Sequence, residues 1–258
     1  MIRGIKNAAS ALQAQQQRMD VISHNIANVN TTAFKKKEVV FGDLLYQSVE
    51  RRGNAVDFSG AGQKEITSGN GVYTAAVRTR PEQGFFRETG NMFDLAIAGE
   101  GYFCLLLPDG RQAYTRDGSF RLDNERRLVS PQGYRLVFPA LPAEDFELVI
   151  GSKGQITVHT VSGDTIDLRQ MELAYFGNPA GLENAGENLL LETAASGPAR
   201  IGPPAEGTEI RQGWLENSNV ELAEEMIALV RSQRNYQLNA SALRTLDEML
   251  EIANYISR

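Results

Sequence analysis

Apolar residues along the first thirty positions recur with a helical period. Ile5, Leu12, Met19 and Ile26 stand seven apart, and Ala8, Gln15, Ile22 and Val29 fill the intermediate positions of the same seam. The opposite face is rich in Gln, Asn and Arg, and no proline interrupts it. Asn28-Val29-Asn30-Thr31-Thr32 then offers side chains that compete with helical hydrogen bonding, so the helix is expected to end there. The C-terminal segment carries a longer stripe. Leu222, Met226, Leu229, Gln233, Tyr236, Ala240 and Leu243 alternate at spacings of four and three, and Leu246, Leu250 and Ala253 continue it after a one-residue change of phase. Asn217-Ser218-Asn219 before Val220 supplies capping residues, and Glu221, Glu224 and Glu225 suit the positive end of the helix dipole. A helix over 220–256 would run roughly 54 Å at about 1.5 Å per residue, far beyond the average globular helix.

Between these ends the pattern changes to period two and turn chemistry. Strands are expected at 93–98, 101–106, 112–116, 119–122 and 134–138, separated by Pro108-Asp109-Gly110, Asp117-Gly118, Asp123-Asn124-Glu125 and Pro131-Gln132-Gly133. Further strands are expected at 155–160, 165–168 and 171–176, with Val161-Ser162-Gly163-Asp164 as a hairpin turn, and 177–207 as mostly loop. Residues 50–72 are rich in Gly, Ser and Asn and read as a mobile insert. The fold class is therefore α+β: N- and C-terminal helices forming a coiled-coil-like assembly domain, with a central, mainly antiparallel β domain between them. The corresponding boundaries are 1–34 and 216–258 for the helical domain, 35–80 for an extended linker and insert, and 81–215 for the β domain. Two helices alone bury only part of two such stripes, so the ends are expected to pair with each other and with other copies. The alternative is that both fold back on the β domain as ordinary amphipathic elements.

Composition narrows the function. The chain of 258 residues is 42% hydrophobic and 22% charged, enough for a real core. A net charge of −6 makes nucleic acid a poor partner. Lys35-Lys36-Lys37 is followed directly by Glu38 and reads as a solvated stretch where the helix leads into a loop. No stretch approaches the roughly 18 apolar residues of a membrane span, and the N-terminus lacks the apolar core of a cleaved signal peptide. Cys104, alone of its kind, lies in an apolar run and is expected to be a buried, unreactive thiol; with only His24 and His159 beside it, no Cys/His zinc set can form.

Catalytic patterns are missing. Gly99-Glu100-Gly101 lacks the downstream glycine of a dinucleotide fingerprint and suits a turn. Gly151-Ser152-Lys153-Gly154 lacks phosphate-loop spacing and suits a hairpin turn, and no Gly-x-Ser-x-Gly elbow occurs. His24 is read as a surface or interface residue, and His159 has no acidic neighbour at a telling spacing. Asp94, Asp109, Asp117 and Asp123 sit in or beside turns, where Asp is common for backbone reasons. No catalytic, cofactor-binding or metal-binding residue is assigned, and the chain is expected not to be an enzyme.

Three blocks resemble a known family. Ser23-His24-Asn25-Ile26-Ala27-Asn28-Val29-Asn30-Thr31-Thr32-Ala33-Phe34-Lys35 resembles the N-terminal signature of the bacterial flagellar rod and hook proteins. Asp94–Phe103 followed by Tyr114–Phe120 is similar to that family's central β motif, and Gly213–Val220 with Ser232–Tyr236 to its C-terminal signature. The length, Asp43–Gln47 and Gly69–Val72 are most similar to the distal-rod branch. His24 stands where asparagine is usual, Ala33 where glycine is usual, and Trp214 where another aromatic is common. The resemblance implies a structural subunit, exported without a cleaved signal through the flagellar export apparatus. It would self-assemble into a hollow helical shaft in the basal body and transmit torque from motor to hook. Its implied partners are copies of itself and neighbouring rod and hook subunits, without cofactor, nucleic acid or membrane insertion. Asn25, Asn28, Asn30, Thr31 and Phe34 are the family-motif residues. Ile5, Leu12, Met19, Ile22, Ile26, Leu222, Met226, Leu229, Tyr236, Leu243, Leu246 and Leu250 are the expected assembly interface. A proximal-rod or hook paralogue and a monomeric extracellular β binding module are the alternatives.

Overall fold

The computed structural model describes residues 2–45, 47–48, 67–139, 141–142, 146–160 and 164–256. They form two compact units, one drawn from Met1–Ile26, Lys37–Arg78 and Leu222–Arg258, the other from Ala27–Lys36 and Thr79–Glu221.

The first unit holds the two long helices, α1 (Ile2–Ala27) and α2 (Leu222–Ile256). Helix α2 contains neither Gly nor Pro, and Glu224 and Glu225 place negative charge in its first turn. The helices lie alongside each other in antiparallel sense. Asn25 Nδ2 donates to Glu225 Oε2 at 3.1 Å, Ser232 Oγ to Gln15 Oε1 at 3.0 Å, and a Cβ on Gly4 would stand 3.3 Å from Leu246 Cδ1. From Gly4 to Asn25, and from Glu225 to Leu246, both helices advance the same number of residues. The inward stripe of α2 is Glu225, Leu229, Ser232, Tyr236, Asn239, Leu243, Leu246, Leu250 and Ala253, an unbroken alternation of four and three. The expected one-residue change of phase is therefore corrected. Leu222, Met226 and Gln233 face outward, because the polar Glu225 and Ser232, which an apolar count passes over, take inner positions in the first part of the stripe. Val29 likewise lies beyond the end of α1, in the turn that follows it.

A two-stranded ribbon of Lys37–Asp43 and Val72–Thr79 completes this unit against α1. Asn7 Nδ2 donates to Gly69 O at 3.1 Å, Val72 N to Ser10 Oγ at 3.3 Å, and Thr74 Oγ1 to Gln17 Oε1. Of the insert expected over 50–72, residues 50–66 lie outside the described residues; Thr67-Ser68 pairs antiparallel with Gln47-Ser48.

The second unit is antiparallel β wherever the register is defined. Seven strands form one sheet in the order 183–186, 189–191, 112–115, 103–106, 135–136, 128–129 and 121–122. Three more, 146–150, 156–160 and 165–167, form a second sheet. Leu95–Ala98 pairs with Glu209–Gln212, and Phe86–Glu88 with Trp214–Glu216. The core draws on both sheets: Leu95, Phe103, Leu105, Phe120, Leu128, Leu148, Ile156, Val158 and Leu173 are all essentially inaccessible. Phe103 meets Phe120 edge to face at 5.2 Å.

Segment 177–207, expected to be mostly loop, is so over most of its length but also carries three short strands. Glu183–Gly186 and Leu189–Leu191 form a hairpin that extends the main sheet, and Arg200–Gly202 pairs with Leu173–Tyr175. Glu187 and Asn188 both take positive φ, 52° and 59°, the geometry of a tight hairpin turn usually given to Asn-Gly. Strands at 146–150, 209–212 and 214–216 also went unread. The Val161–Asp164 turn falls largely outside the described residues, although the strands on either side of it pair as a hairpin. Asp109, Asp117 and Asp123 accept from the backbone amides two residues on, at 3.0, 3.0 and 2.8 Å, which is why these turns carry Asp.

Candidate assembly site

The helix pair has two faces of different character. Ile5, Leu12, Met19 and Ile26 are half-buried and Ile22 is buried; Leu229, Tyr236, Leu243, Leu246 and Leu250 are half-buried on α2. Leu222 and Met226 are 42% and 53% exposed and stand outside the inner stripe. They join a second apolar row, Ile227, Val230, Leu238, Met249, Ile252 and Tyr255, all exposed. The period reading missed this row because it sought one stripe per helix.

Asn25 fixes the closed end of the pair. It is 1% exposed, donates to Lys37 O at 2.9 Å and to Glu225 Oε2, and accepts from Lys37 N at 3.0 Å. An apolar seam can slide; a buried amide with three bonded partners admits one register. His24, on the same turn, is exposed, and burial together with nearby Lys37 lowers its pKa.

The other signature residues belong to the β unit. Thr31 Oγ1 donates to Asn28 Oδ1 at 3.1 Å, Phe34 N to Thr31 O at 3.3 Å, Phe34 is buried, and Asn30 is exposed. Ala33 takes φ 55°, a left-handed conformation that explains why glycine suits this position.

Lys35 corrects the sequence reading. Its ammonium is not solvated: Nζ donates to Glu216 Oε1 at 2.5 Å and to Glu82 O at 2.8 Å, with the side chain 16% exposed. Burial pushes its pKa down against the pull of the Glu216 carboxylate. Glu216, 1% exposed, also accepts from Gly84 N at 3.1 Å and lies 3.9 Å from Arg116 Nη1. Around this pair, Ala33 N donates to Glu216 O at 2.8 Å and Lys36 N to Asn219 Oδ1 at 2.6 Å, while Asn219 Nδ2 donates to Arg80 O and Glu82 O. The end of the first signature is thus stitched to the start of the last across more than 180 residues of chain. Sequence reasoning missed Glu216 as the partner of Lys35, Asn219 as that of the Lys36 amide, and Arg116 as the second cation beside Glu216; the signal available was their place inside the three resembling blocks.

Elsewhere the β unit holds side chains suited to packing. Cys104 is 3% exposed, and burial pushes its thiol up to about 11. His159 Nδ1 lies 3.1 Å from Thr165 Oγ1 on a paired strand. Gly99 and Gly101 take φ near +116° and +117°, and Gly151–Gly154 closes the 146–160 hairpin, as turn readings require. Among the described residues no group of His, Cys, Asp or Glu could hold a metal ion, and no helix is long and apolar enough to cross a membrane.

Three family models match the chain in order. Residues 5–35 match that of the flagella basal body rod protein, 96–158 that of the flagellar hook protein FlgE/F/G D1 domain, and 211–256 that of the flagellar basal body rod FlgEFG protein C-terminal. The chain is similar to the flagellar basal-body rod protein FlgG of Borreliella burgdorferi, 42% identical with all of both chains covered. It is 38% identical to that of Caulobacter vibrioides over 99% of each, and 35% to that of Bacillus subtilis over 97% of each. A second Bacillus subtilis protein, the flagellar hook-basal body complex protein FlhP, is 27% identical over 99% of this chain.

Proposed function

The chain belongs to the flagellar basal-body rod and hook protein family, and from that premise we propose that it is a structural subunit of the rod, of the distal-rod branch. Identity of 35–42% along whole chains of FlgG relatives, against 27% for the hook-basal body complex protein, supports the branch. The place of action is the flagellar basal body and the role is mechanical: copies polymerise into a hollow helical shaft that carries torque to the hook, without catalysis or cofactor. The terminal segments 1–34 and 216–258 act as the assembly domain, 35–80 as an extended linker and insert, and 81–215 as the outer β domain. Neighbouring rod and hook subunits cap the shaft's ends, and the chain reaches it through the flagellar export apparatus.

The observation that carries the mechanical reading is the second apolar row of α2. With α1 on one side, Ile227, Val230, Leu238, Met249 and Ile252 still face outward, a row costly to leave in water. The inner residues Ile5, Leu12, Met19, Ile22, Ile26, Leu229, Tyr236, Leu243, Leu246 and Leu250 hold the hairpin of helices, and the outer row with Leu222 and Met226 meets other copies. Such contacts are heterologous, and repeated without closure they generate a helical filament. Sedimentation of the full chain beside the double variant Leu238→Lys, Ile252→Lys tests this. Wild type is expected to associate as concentration rises and the variant to remain monomeric with unchanged circular dichroism. A wild-type chain that stays monomeric at every concentration favours the binding-module reading instead.

A further inference from the structure

A cleft in the β unit is left without a role by the rod reading. Its walls include Phe34, Lys35, Tyr102, Arg116, Leu182 and Leu190. Its charges do not balance. Lys35 and Arg116 bring two cations whose side chains are 16% and 14% exposed, and among the described residues the carboxylate within ion-pair distance of both is that of Glu216. Glu216 commits Oε1 to Lys35 and to the Gly84 amide; its Oε2 makes no hydrogen bond and stays 3.9 Å from Arg116 Nη1. Arg116 donates a long bond to Ile97 O, 3.4 Å, lies over the Tyr102 ring at 5.1 Å and also bonds the Tyr102 side chain. A guanidinium carries five N–H donors in a planar fork, so most of this one's donors remain for a further acceptor. Screened little by solvent, one excess positive charge here attracts a carboxylate far more than the same charge on an open surface. The apolar walls suit the methylenes that carry such a group.

We propose that this cleft is a socket for an acidic side chain of a second copy of the chain, its carboxylate taking the remaining Arg116 donors. Charge complementarity names the occupant: acidic residues outnumber basic ones in the chain, 32 to 26, so a neighbouring copy has carboxylates to offer, while the cleft is locally positive. The socket rests on the rod reading, since it needs copies brought side by side. It adds a polar, register-fixing contact from the β unit to the apolar contacts of α2.

Sedimentation of the full chain tests it with two variants. Arg116→Gln removes the charge. Ala180→Trp fills the cleft wall from an exposed position without touching the ion pairs. Both are expected to weaken association roughly tenfold or more, while Ala180→Trp leaves the urea midpoint where wild type has it. If both variants associate as wild type does while Leu238→Lys, Ile252→Lys abolishes association, the socket is overturned and the rod reading stands. A wild-type chain that never associates overturns both. Succinate that shifts the Arg116 side-chain resonance, with association of Ala180→Trp intact, makes the cleft a small-carboxylate site and overturns the proposal.

Discussion

At the scale of single residues, Glu216 shows how burial turns an ordinary salt bridge into a structural necessity. Exposed ion pairs are worth about 1 kcal/mol or less, but removing one member of a buried pair leaves an uncompensated charge and costs about 3–5 kcal/mol. Glu216→Ala is therefore expected to lower the urea-unfolding free energy by about that amount. The paired change Lys35→Met, Glu216→Leu should recover only part of it, because it removes that pair of charges but leaves Arg116 and the Gly84 amide without Glu216. Cys104 gives a second residue-level test. Its folded pKa, about 11, lies above the reference 9.0, so the folded state holds the thiol proton more tightly. The stabilisation is complete below pH 9 and fades as pH rises through 11. Disulfide reagents should label the native chain far more slowly than the unfolded one, and rapid native labelling at neutral pH would show that the thiol is accessible. The buried thiol was legible in the run Tyr102–Leu107, whereas Lys35 was not: three lysines in a row read as solvated until a carboxylate 181 residues away is brought to them.

At the scale of elements, legibility followed the strength of the local signal. Both long helices were readable from their heptad spacing, to within a few residues of their observed ends. Strands flanked by Asp-Gly or Pro-x-Gly turns were readable too. Glu183–Gly186 was not, since nothing in Glu-Asn-Ala-Gly alternates and its place depends on pairing with Leu189–Leu191 across a turn without glycine. The phase of α2 failed for a related reason: Glu225 and Ser232 face inward to meet Asn25 and Gln15, and polar residues do not register as seam positions. Asn25→Ala should thus loosen an element rather than a contact. Losing the Asn25 bonds to Glu225 and to the Lys37 backbone is expected to cost about 1–3 kcal/mol, read as faster amide exchange in the last turns of α1. Gly118→Ala is expected to be harsher, since its Cβ would fall 1.6 Å from the backbone oxygen of Leu95, in the buried strand Leu95–Ala98. A Gly118→Ala chain that melts like wild type would mean this turn can reopen without disturbing the core.

At the scale of the whole molecule, one pairing determines when the fold can be finished. Asn25 and Glu225 stand 200 residues apart, and the complete β unit lies between them in the chain. Contacts so distant in sequence form late, because the intervening chain must first be ordered to make the closure affordable. On a ribosome, α1 emerges before α2 and waits with its apolar stripe uncovered until α2 has been made. The N-terminal segment therefore spends most of its synthesis without its partner, the condition in which a chain stays pliable and is most readily held by another protein. Pulse-labelled hydrogen exchange during refolding should show the amides of the Phe103–Leu106 and Gln112–Thr115 strands protected before those of Leu12–Ile22. The order in which the helices appear in the chain is thus a delay built into its own assembly.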